Sequence, residues 1–395
     1  MKQYMKYNLN IREEFFGATL NNIEIGKREY ITKEELYNIM ENGIFFKDSL
    51  GLKITGSPKI KFTPLVKRKF NNGFSFPDIA YIELTRKCNL KCQHCLNDSG
   101  KQMKDEMTLD ELLTLIKTLA DLGLQEVRLT GGEPLLFNGI YDLIKISKEN
   151  GLYVSLGTNG TLITESVAKK LRDAGLDKAV VSIDGTEEMH DRIRGNGNYK
   201  KAIDGLMNLK KQGIVVRINS VIMKSNMDDI IKFAKNVDTL NIPLFIRRFI
   251  ESGRGEQLIN NTLTKEDYDY IREQLKKEIT DGQYVNGHYL RNDEGIHSRI
   301  KLPFEIKGCK AGQRAIAIMP DGSINLCGFL AAQGFENIAN IRQIDNWIDF
   351  WDNLQTQDKL HYLREKLDSY NSIPNIQETY CLAYIERQVK KKVLK

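Results

Sequence analysis

The segment CNLKCQHC, Cys88–Cys95, places three cysteines on one short stretch with the spacing C-x3-C-x2-C. It follows the apolar run AYIELT (80–85), which is typical of a buried strand. A structural zinc site usually takes four ligands, and a disulfide framework needs an even number of cysteines. Three thiolates on one loop instead suit a cubane [4Fe–4S] cluster with one iron left without a protein ligand. Cys88, Cys92 and Cys95 are therefore predicted to bind such a cluster, and the chemistry is expected at its open iron.

The alternative for these cysteines is that they only pack in the core, since a free cysteine is among the most buried residue types. Polar residues separate them, which disfavours that interpretation: Asn89, Lys91, Gln93 and His94.

Composition places the chain among soluble globular proteins. It has 395 residues, of which 41% are hydrophobic and 28% charged, which is long enough for two or three domains. No apolar run reaches the roughly 18–20 residues of a membrane span, and the first residues lack the apolar core of a signal peptide. A cytoplasmic protein is expected, in which six cysteines indicate metal binding before disulfides. The net charge of +6 favours an acidic peptide or an anionic redox partner, and neither nucleic acid nor a membrane is expected as a partner.

Strands and helices alternate from residue 79 to about residue 255, which is the pattern of a parallel α/β domain. Helical stretches, such as 109–123 and 200–213, each close on glycine. Six strand–helix units are predicted rather than eight, with strand runs at AYIELT, QEVRLT, LYVSLGT, KAVVSID, VVRINSVIM and PLFIRRFI. In a parallel barrel the functional residues belong at the carboxyl ends of the strands.

The cysteine spacing resembles the hallmark of the radical S-adenosylmethionine (radical SAM) superfamily. That resemblance implies an incomplete (β/α)6 barrel, open on one side, in which SAM chelates the fourth iron. It also implies that an electron from the cluster cleaves SAM to a 5′-deoxyadenosyl radical, which abstracts a substrate hydrogen. His94 occupies the place where the family usually has an aromatic residue, and it is expected to pack beside the cluster or the adenine.

Two strand-end motifs resemble parts of the family's SAM site. Gly131, Gly132 and Glu133 follow the second strand, where glycines allow close backbone approach and the family's loop takes the SAM amino group. Asn159 follows the third strand in the sequence Thr-Asn-Gly. It is predicted to bond the methionyl carboxylate or the ribose, although an asparagine before glycine is also an ordinary turn.

Further candidates lie at the ends of the fourth and fifth strands. Ser182 and Asp184 have the place of the family's ribose contacts, and Arg194 resembles the arginine that meets the SAM carboxylate, which a guanidinium binds in bidentate fashion. Asn219 is a weaker candidate, because an asparagine within a strand can be satisfied in the core. The stretch RRFIESGRG (247–255) closes the sixth strand, and substrate contact and solvated surface are equally good explanations of its arginines.

The opening segment, residues 1–77, is predicted to form a small α+β unit. Residues 7–22 and 28–32 suggest two strands, and the next residues suggest a helix that Thr32 caps, with Glu35 three residues on. A hairpin followed by a helix resembles the recognition elements of enzymes that modify ribosomally made peptides (RiPPs), which add a leader peptide as a strand to a sheet edge. The alternative is a plain cover for the mouth of the barrel.

The remaining three cysteines lie near the carboxyl end. Cys309 and Cys327 flank a predicted hairpin, AIAIM and SINLC around Pro320-Asp321-Gly322, and Cys381 follows much later. The arrangement resembles the SPASM/twitch extensions of radical SAM enzymes, which implies that these cysteines bind one auxiliary iron–sulfur cluster. A full SPASM domain has more cysteines, so one such cluster is the most this chain is expected to hold. Cys381 has the alternative of being an ordinary buried thiol.

The expected organisation is therefore a recognition segment (1–77), a radical SAM partial barrel (78–256), a helical connector (257–305) and a twitch-like domain (306–395). The resemblance implies an enzyme that abstracts hydrogen from a ribosomally made peptide and forms a thioether or carbon–carbon cross-link. A flavodoxin or ferredoxin is the electron donor expected with it. Alternatives are an enzyme of small-molecule cofactor biosynthesis, a peptide epimerase, or a non-catalytic iron–sulfur sensor.

Overall fold

The computed structural model describes most of the chain. The described residues are 7–24, 26–42, 59–65, 74–238, 240, 242–278, 311–312, 314–353, 356, 358–359, 361–362 and 365. Two predicted ligands of an auxiliary cluster, Cys309 and Cys381, lie outside the described residues, as does the connector after residue 278.

The opening segment forms a four-stranded sheet with one helix, in the order β3-β2-β1-β4, where β4 runs parallel to β1. Its elements are β1 (Leu9–Glu14), β2 (Gly17–Asn22), β3 (Lys27–Thr32), α1 (Lys33–Asn42) and β4 (Ile60–Thr63). The predicted helix is confirmed, and Thr32 and Glu35 make reciprocal backbone-to-side-chain hydrogen bonds of 2.9 and 3.1 Å at its start.

The prediction of a single strand over residues 7–22 is wrong. The chain turns at Phe15 and Phe16, so the stretch forms the two strands of a hairpin. Two consecutive aromatic residues are not a turn signal, because turns usually show Gly, Pro, Asn or Asp. The only local sign is Gly17, where an added Cβ would lie 2.0 Å from the carbonyl oxygen of Ile31.

Six parallel strands, each followed by helical structure, form the partial barrel that the sequence predicts. Its elements in chain order are β5 (Ile79–Glu83), α2 (Leu109–Asp121), β6 (Glu126–Thr130), α3 (Ile140–Glu149), β7 (Tyr153–Thr158), α4 (Glu165–Ala174), β8 (Lys178–Ser182), α5 (Glu187–Arg194), α6 (Asn198–Lys211), β9 (Val215–Ile222), α7 (Met227–Asp238) and β10 (Leu244–Arg248).

The main core lies between these strands and the helices outside them. Alternate strand residues, such as Ala80 and Ile82, join apolar residues of the helices in one buried cluster. The opposite faces of the strands carry polar side chains, so that Arg128 donates to Ser155 at 3.0 Å and stacks over the ring of Tyr81. The barrel interior can therefore bind a polar ligand.

The carboxyl-terminal part continues the barrel sheet past its first strand. Its elements are α8 (Lys265–Glu278), β11 (Ala315–Ile318), β12 (Ser323–Asn325), α9 (Gly328–Ala332), β13 (Ala339–Asn340) and α10 (Trp347–Asp352). β11 pairs in parallel with β5 and in antiparallel fashion with β12, which confirms the predicted hairpin. The result is one nine-stranded sheet with the order β10-β9-β8-β7-β6-β5-β11-β12-β13.

The sheet of the opening segment packs against the amino-terminal ends of the barrel strands. Arg12 donates to the carbonyl oxygens of Pro77 and Gly123, and Asn10 donates to that of Leu124, all of them just before a barrel strand. The cysteine loop follows β5 and lies at the other end. The expected alternative of a cover for the barrel mouth is therefore wrong, because this sheet closes the base.

A buried ion network holds the base together. Asp78 is fully buried and accepts from Arg12 at 2.9 Å and from Arg314 at 3.0 Å, so that one carboxylate joins the opening segment, the barrel and the carboxyl-terminal part. Burial alone would raise the pKa of Asp78, but Arg28 and Arg12 outweigh it and hold that pKa below its usual value.

None of the helices in the described part of the chain is long and apolar enough to cross a membrane.

Candidate active site

The three cysteines lie on an irregular loop that leaves the carboxyl end of β5. Backbone hydrogen bonds fix its ends and its middle: the amide of Cys88 donates to the Gly100 carbonyl at 3.1 Å, and the amide of Gln93 donates to the Ile193 carbonyl at 3.0 Å. Cys92 is buried, whereas Cys88 and Cys95 are half-buried, and all three are free thiols.

The number of thiols favours a cluster over a structural zinc ion, because three cysteines share the loop and a structural zinc ion usually takes four ligands. A zinc site gathers all its ligands around one ion, whereas a cubane takes each thiolate on a different iron. Burial raises the pKa values of the Cys88 and Cys92 thiols, so metal binding there would release protons.

Arg194, the last residue of α5, lies beside the buried cysteine. Its Nη1 is 3.7 Å from Sγ of Cys92, and its Nε donates to Oδ2 of Asp184 at 2.6 Å. Asp184 also accepts from His94 at 2.6 Å on the same oxygen and from the Val221 amide at 2.8 Å on the other. Burial would raise the pKa of Asp184, but Arg194 and His94 hold it well below its usual range, so the carboxylate stays charged.

His94 thus links the cysteine loop to the end of the fourth barrel strand through Asp184. The prediction for Asp184 was a ribose contact, and in the structure its carboxylate is shared among protein donors. A second histidine, His190, accepts from the Asp184 amide through Nδ1 at 3.2 Å, and burial lowers its pKa to about 4. His190 is therefore neutral near pH 7, and it supports Asp184 without adding charge.

Glu133 lies fully buried at the end of the second barrel strand. It accepts from Thr158 Oγ1 at 2.8 Å, from the Asn159 amide at 2.8 Å and from the Leu135 amide at 3.2 Å. Burial raises the pKa of Glu133 to about 7. Its carboxylate, expected to meet an ammonium group, therefore also fastens the loop after β7 to the loop after β6.

Both glycines before Glu133 make a close backbone approach, but to the cysteine loop. An added Cβ at Gly131 would lie 2.6 Å from the Thr85 carbonyl oxygen, and one at Gly132 would lie 2.4 Å from that of Lys87. The amide of Glu133 donates to the same Lys87 oxygen at 2.9 Å. The close packing of this loop against the cysteine loop is therefore enough to explain why glycine occupies both positions.

Asn159 lies in the loop after β7 and also contacts the cysteine loop. Its Nδ2 donates to the side-chain oxygen of Asn89 at 2.9 Å, while its Oδ1 accepts from the Thr161 amide at 2.9 Å. The turn expected as the alternative is therefore present, and the same side chain braces the segment between Cys88 and Cys92.

Ser182 and Asn219 are neighbours across β8 and β9, where they form a register pair. Ser182 is half-buried at the last position of its strand. The Oδ1 atom of Asn219 is buried and has no hydrogen-bond partner among the described residues. A buried acceptor without a donor is costly, so this oxygen fits a hydroxyl or amino group of a ligand.

Sequence reasoning missed the role of Arg254. Its Nε donates to the carbonyl oxygen of Cys92 at 2.9 Å, which neither substrate contact nor solvated surface describes. No local pattern could have indicated this contact, because the two residues are far apart in the chain and meet only when the barrel forms.

Cys327 lies at the same end of the barrel as the cysteine loop. It is the amino-terminal cap of α9, and the next residue, Gly328, lies so close to Glu83 that an added Cβ would be 3.2 Å from Oε1. Glu83 in turn accepts from Asn97, two residues after Cys95, at 3.1 Å. The buried carboxylate of Glu83 therefore lies between the segment at Cys327 and the cysteine loop.

Comparisons with known proteins agree on the family. The model of the radical SAM superfamily matches residues 82–237. An AdoMet-dependent heme synthase of Methanosarcina barkeri is 31% identical over 304 residues, which cover 72% of this chain and 84% of that protein. The mycofactocin maturase MftC of Mycolicibacterium smegmatis is 29% identical, over 70% of this chain and 73% of the maturase. The chain belongs to the radical SAM superfamily, and it is an enzyme.

A solved structure shows the same fold over nearly the whole chain. Streptococcus suis SuiB bound to its precursor peptide SuiA superposes with a TM-score of 0.65 over 98% of this chain and 94% of SuiB, at 19% identity. Radical SAM enzymes use a [4Fe–4S] cluster and SAM. The donor set here fits both, because three free thiols share one loop, a guanidinium lies beside one of them, and the Oδ1 atom of Asn219 has no hydrogen-bond partner in the described part of the chain.

Proposed function

We propose that this chain is a radical SAM maturase that oxidises a ribosomally made peptide and forms a thioether or carbon–carbon cross-link. The single observation that carries the peptide assignment is the sheet of the opening segment. Among the described strands, β3 has a neighbour on one side only, and beside it α1 presents two exposed apolar residues, Tyr37 and Met40, which are 62% and 44% exposed.

An open strand edge next to an apolar shelf suits an extended peptide. Such a peptide gains main-chain hydrogen bonds from the edge and places alternate side chains on the shelf. The similarity to SuiB, which was solved with a precursor peptide, and to the maturase MftC supports this assignment. Residues 1–77 are accordingly proposed as the leader-recognition segment of the enzyme.

Cys88, Cys92 and Cys95 are the proposed ligands of the catalytic cluster. When bound, the cluster would supply the electron for reductive cleavage of SAM, which is the chemistry by which radical SAM enzymes abstract a substrate hydrogen. Arg194 is proposed to bind the SAM carboxylate, and its contacts with Asp184 and with Sγ of Cys92 support this role. Asn219 and Ser182 are proposed to bind the ribose or the amino acid part of SAM from the ends of their strands.

The loops after the second and third strands complete the proposed SAM site. Glu133 is the proposed partner of the SAM amino group, together with the backbone at Gly131 and Gly132. Asn159 is proposed to position the loop after β7 against the cysteine loop, because its side-chain Nδ2 donates to Asn89 at 2.9 Å.

An acidic electron carrier, such as a flavodoxin or ferredoxin, is the proposed redox partner. The outer face of the cysteine loop carries exposed Lys87 and Lys91, Lys101 follows the Gly100 bridge to Lys87, and exposed Arg192 lies beside Gln93. Complementary charge steers such encounters and is screened by salt. Lys91→Glu should slow SAM cleavage driven by the carrier protein but not cleavage driven by dithionite. Equal slowing with both reductants would exclude a docking role.

Cys309, Cys327 and Cys381 are proposed to bind one auxiliary iron–sulfur cluster in the carboxyl-terminal part, residues 306–395. The position of Cys327 near Glu83 supports this, because it brings one of the three ligands close to the barrel mouth. A cluster there could bind a substrate group or accept the electron left after hydrogen abstraction.

The second candidate is a small-molecule reaction in cofactor biosynthesis. It is favoured by the 31% identity to an AdoMet-dependent heme synthase. The opening segment discriminates the two candidates, since a small substrate gives the open edge of β3 no role.

The test is co-expression of the chain with the small peptides encoded by genes next to its own, followed by accurate mass measurement. A peptide that loses two hydrogens in the presence of the parent enzyme, but not of the Cys88→Ala/Cys92→Ala/Cys95→Ala variant, supports the proposal. That variant should also lose about four irons per chain and all SAM cleavage. If it still cleaves SAM, the assignment of these cysteines is wrong. If no neighbouring peptide changes mass while the parent enzyme cleaves SAM, the result favours the second candidate, a small-molecule reaction in cofactor biosynthesis.

A further inference from the structure

Arg254 makes several hydrogen bonds to the cysteine loop, through both its side chain and its backbone amide. Its Nε donates to the Cys92 carbonyl at 2.9 Å, and its Nη1 donates to the Ser99 carbonyl at 2.8 Å and to the Asp98 carboxylate at 2.5 Å. Its own amide donates to the Cys95 carbonyl at 3.1 Å. One residue thus grips the loop on both sides of Cys95.

The preceding residue explains how the loop after β10 can come so close. Gly253 has a φ of +56°, in the left-handed region, and an added Cβ would lie 2.6 Å from the carbonyl oxygens of both Cys95 and Leu96. Any side chain there would push the two loops apart. Ser252 anchors the other end of the turn by donating to the Ala332 carbonyl at 2.8 Å.

The cysteine loop needs such support because it has little structure of its own. Between residues 86 and 100 it contains no helix or strand, and its one ladder contact is an isolated bridge between Lys87 and Gly100. Within the loop, the Cys95 amide donates to the Cys92 carbonyl at 3.2 Å and the Asp98 amide donates to the Cys95 carbonyl at 3.3 Å. The course of the loop otherwise depends on contacts with the rest of the barrel. A planar guanidinium suits the task, because it can donate to several oxygens in fixed directions, which an ammonium on a flexible stem cannot.

We infer that Arg254 is a positioning residue of the catalytic centre, which fixes the segment from Cys92 to Ser99 and thereby the position of Cys95 relative to Cys92. The inference rests on the proposed assignment of Cys88, Cys92 and Cys95 as cluster ligands. Arg254 itself touches neither sulfur nor substrate in this assignment. It acts through the backbone of the loop.

The experiment compares Arg254→Ala and Arg254→Lys with the parent chain and with Arg172→Ala, a control at an exposed arginine of α4. All four are reconstituted anaerobically with iron and sulfide. The measurements are the rate of iron loss to a chelator, the EPR spectrum of the dithionite-reduced cluster with and without SAM, and the melting temperature of the cluster-free protein.

Both Arg254 variants should lose iron about tenfold faster or more, which is the factor that one charge-assisted hydrogen bond is worth. Their EPR spectra should broaden, while their cluster-free melting temperatures match the parent. Arg254→Lys should not restore iron retention, because lysine keeps the positive charge but lacks the planar guanidinium that donates to several oxygens at once. Iron retention equal to the parent in Arg254→Ala, or full rescue by lysine, overturns the inference.

A milder variant guards against misfolding of the first two. Asp98→Asn removes the negative charge of one partner of the guanidinium at an exposed position, and it should lose iron at a rate between those of the parent and Arg254→Ala. An unchanged rate in Asp98→Asn, should Arg254→Ala fail to fold, also overturns the inference. If the parent itself binds no cluster, the proposed function fails, which is a different result from a parent that binds it and variants that hold it equally well.

Discussion

Asp184 and Arg194 form a buried ion pair in which Nε lies 2.6 Å from Oδ2, and the far end of the same guanidinium lies 3.7 Å from Sγ of Cys92. The pair joins the end of the fourth strand to the cysteine loop. Because Asp184 is shared between Arg194 and His94, it orients both side chains at once. A charge held in this way next to the cysteine loop is preorganised to meet an anionic group of a ligand.

Arg194→Ala should weaken SAM binding by about 1.5–3 kcal/mol, the range for a hydrogen bond to a charged group. Anaerobic calorimetry of the reconstituted protein measures the affinity, and Arg172→Ala on α4 serves as the control. The absorption spectrum of the cluster should persist. Parental affinity in Arg194→Ala would place the carboxylate contact elsewhere.

Asp184→Asn in the same assay separates orientation from direct contact. If Asp184 acts by holding Arg194, the double variant should be no weaker than Arg194→Ala alone, because the two effects are not additive for coupled residues. Additive losses would instead indicate an independent contact of Asp184 with SAM, as the family resemblance implies.

The order of strands and the location of the site follow from local sequence patterns. Apolar runs alternate with amphipathic helices, and the polar motifs fall directly after the runs, so the barrel and the clustering of Cys88, Glu133 and Asp184 at one end are predictable. The hairpin around Asp321 was also legible, because Pro, Asp and Gly are turn residues.

What could not be predicted are contacts between distant polar residues. Glu133 reads as a ligand for an ammonium group, yet its hydrogen bonds to Thr158 and the Asn159 amide depend on how β6 and β7 stand side by side. The grip of Arg254 on the loop at Cys92 has the same origin. Hydrogen bonds between residues that are far apart in the sequence follow no periodic pattern, so the sequence does not predict which residues pair.

The closure of the barrel base is the clearest example, and it leads to a prediction about stability. Asp78→Asn should lower the free energy of unfolding by about 3–5 kcal/mol, because it removes the buried carboxylate that Arg314 and Arg12 share and leaves Arg12 paired with Glu14. Urea unfolding of the cluster-free protein measures the change. SAM affinity should stay near the parental value, since Asp78 lies at the opposite end of the barrel. Unchanged stability would mean that the network contributes nothing.

The same network changes what deletion of the opening segment can reveal. Removing residues 1–75 also removes Arg12 and uncovers the base, so loss of peptide turnover could reflect unfolding. Point variants on the exposed shelf, such as Tyr37→Ala, therefore test leader recognition more cleanly than truncation.

Glu133 provides a prediction about pH. Burial raises the pKa of its carboxyl to about 7 in the folded protein, above the value expected in the unfolded chain. The folded state therefore binds the proton more tightly, and its contribution to stability is full at low pH and is lost as the pH rises through 7. Glutamine does not titrate at this position, so the stability difference between parent and Glu133→Gln should shift against the parent as the pH rises from about 4.5 to about 7, and should level off above that.

The slope of that difference should approach at most about 1.4 kcal/mol per pH unit. Urea unfolding of both proteins at several pH values between about 4.5 and 8 measures it. Glu133→Gln should also be destabilised overall, because its amide group must face the Asn159 amide or another donor. A difference that is flat with pH would show that Glu133 is already ionised throughout the range.

The last prediction concerns the kind of product, and it follows from the positions of the thiols. The sequence has no cysteine between Cys95 and Cys309, so the barrel offers no thiol to return a hydrogen atom to a substrate radical. An epimerase that quenches from a barrel cysteine is therefore disfavoured.

The auxiliary cluster proposed at Cys309, Cys327 and Cys381 could instead accept the second electron, which makes the reaction a net oxidation. Each turnover then removes two hydrogens from the peptide, one as an abstracted atom and one as a proton, and forms one new bond.

Replacing the three auxiliary cysteines with alanine should leave SAM cleavage intact and stop cross-linking. Mass spectrometry of peptide produced in deuterated water measures the outcome: a loss of two hydrogens without deuterium supports oxidation, whereas an unchanged formula with one deuterium at a Cα would show epimerisation and rule it out.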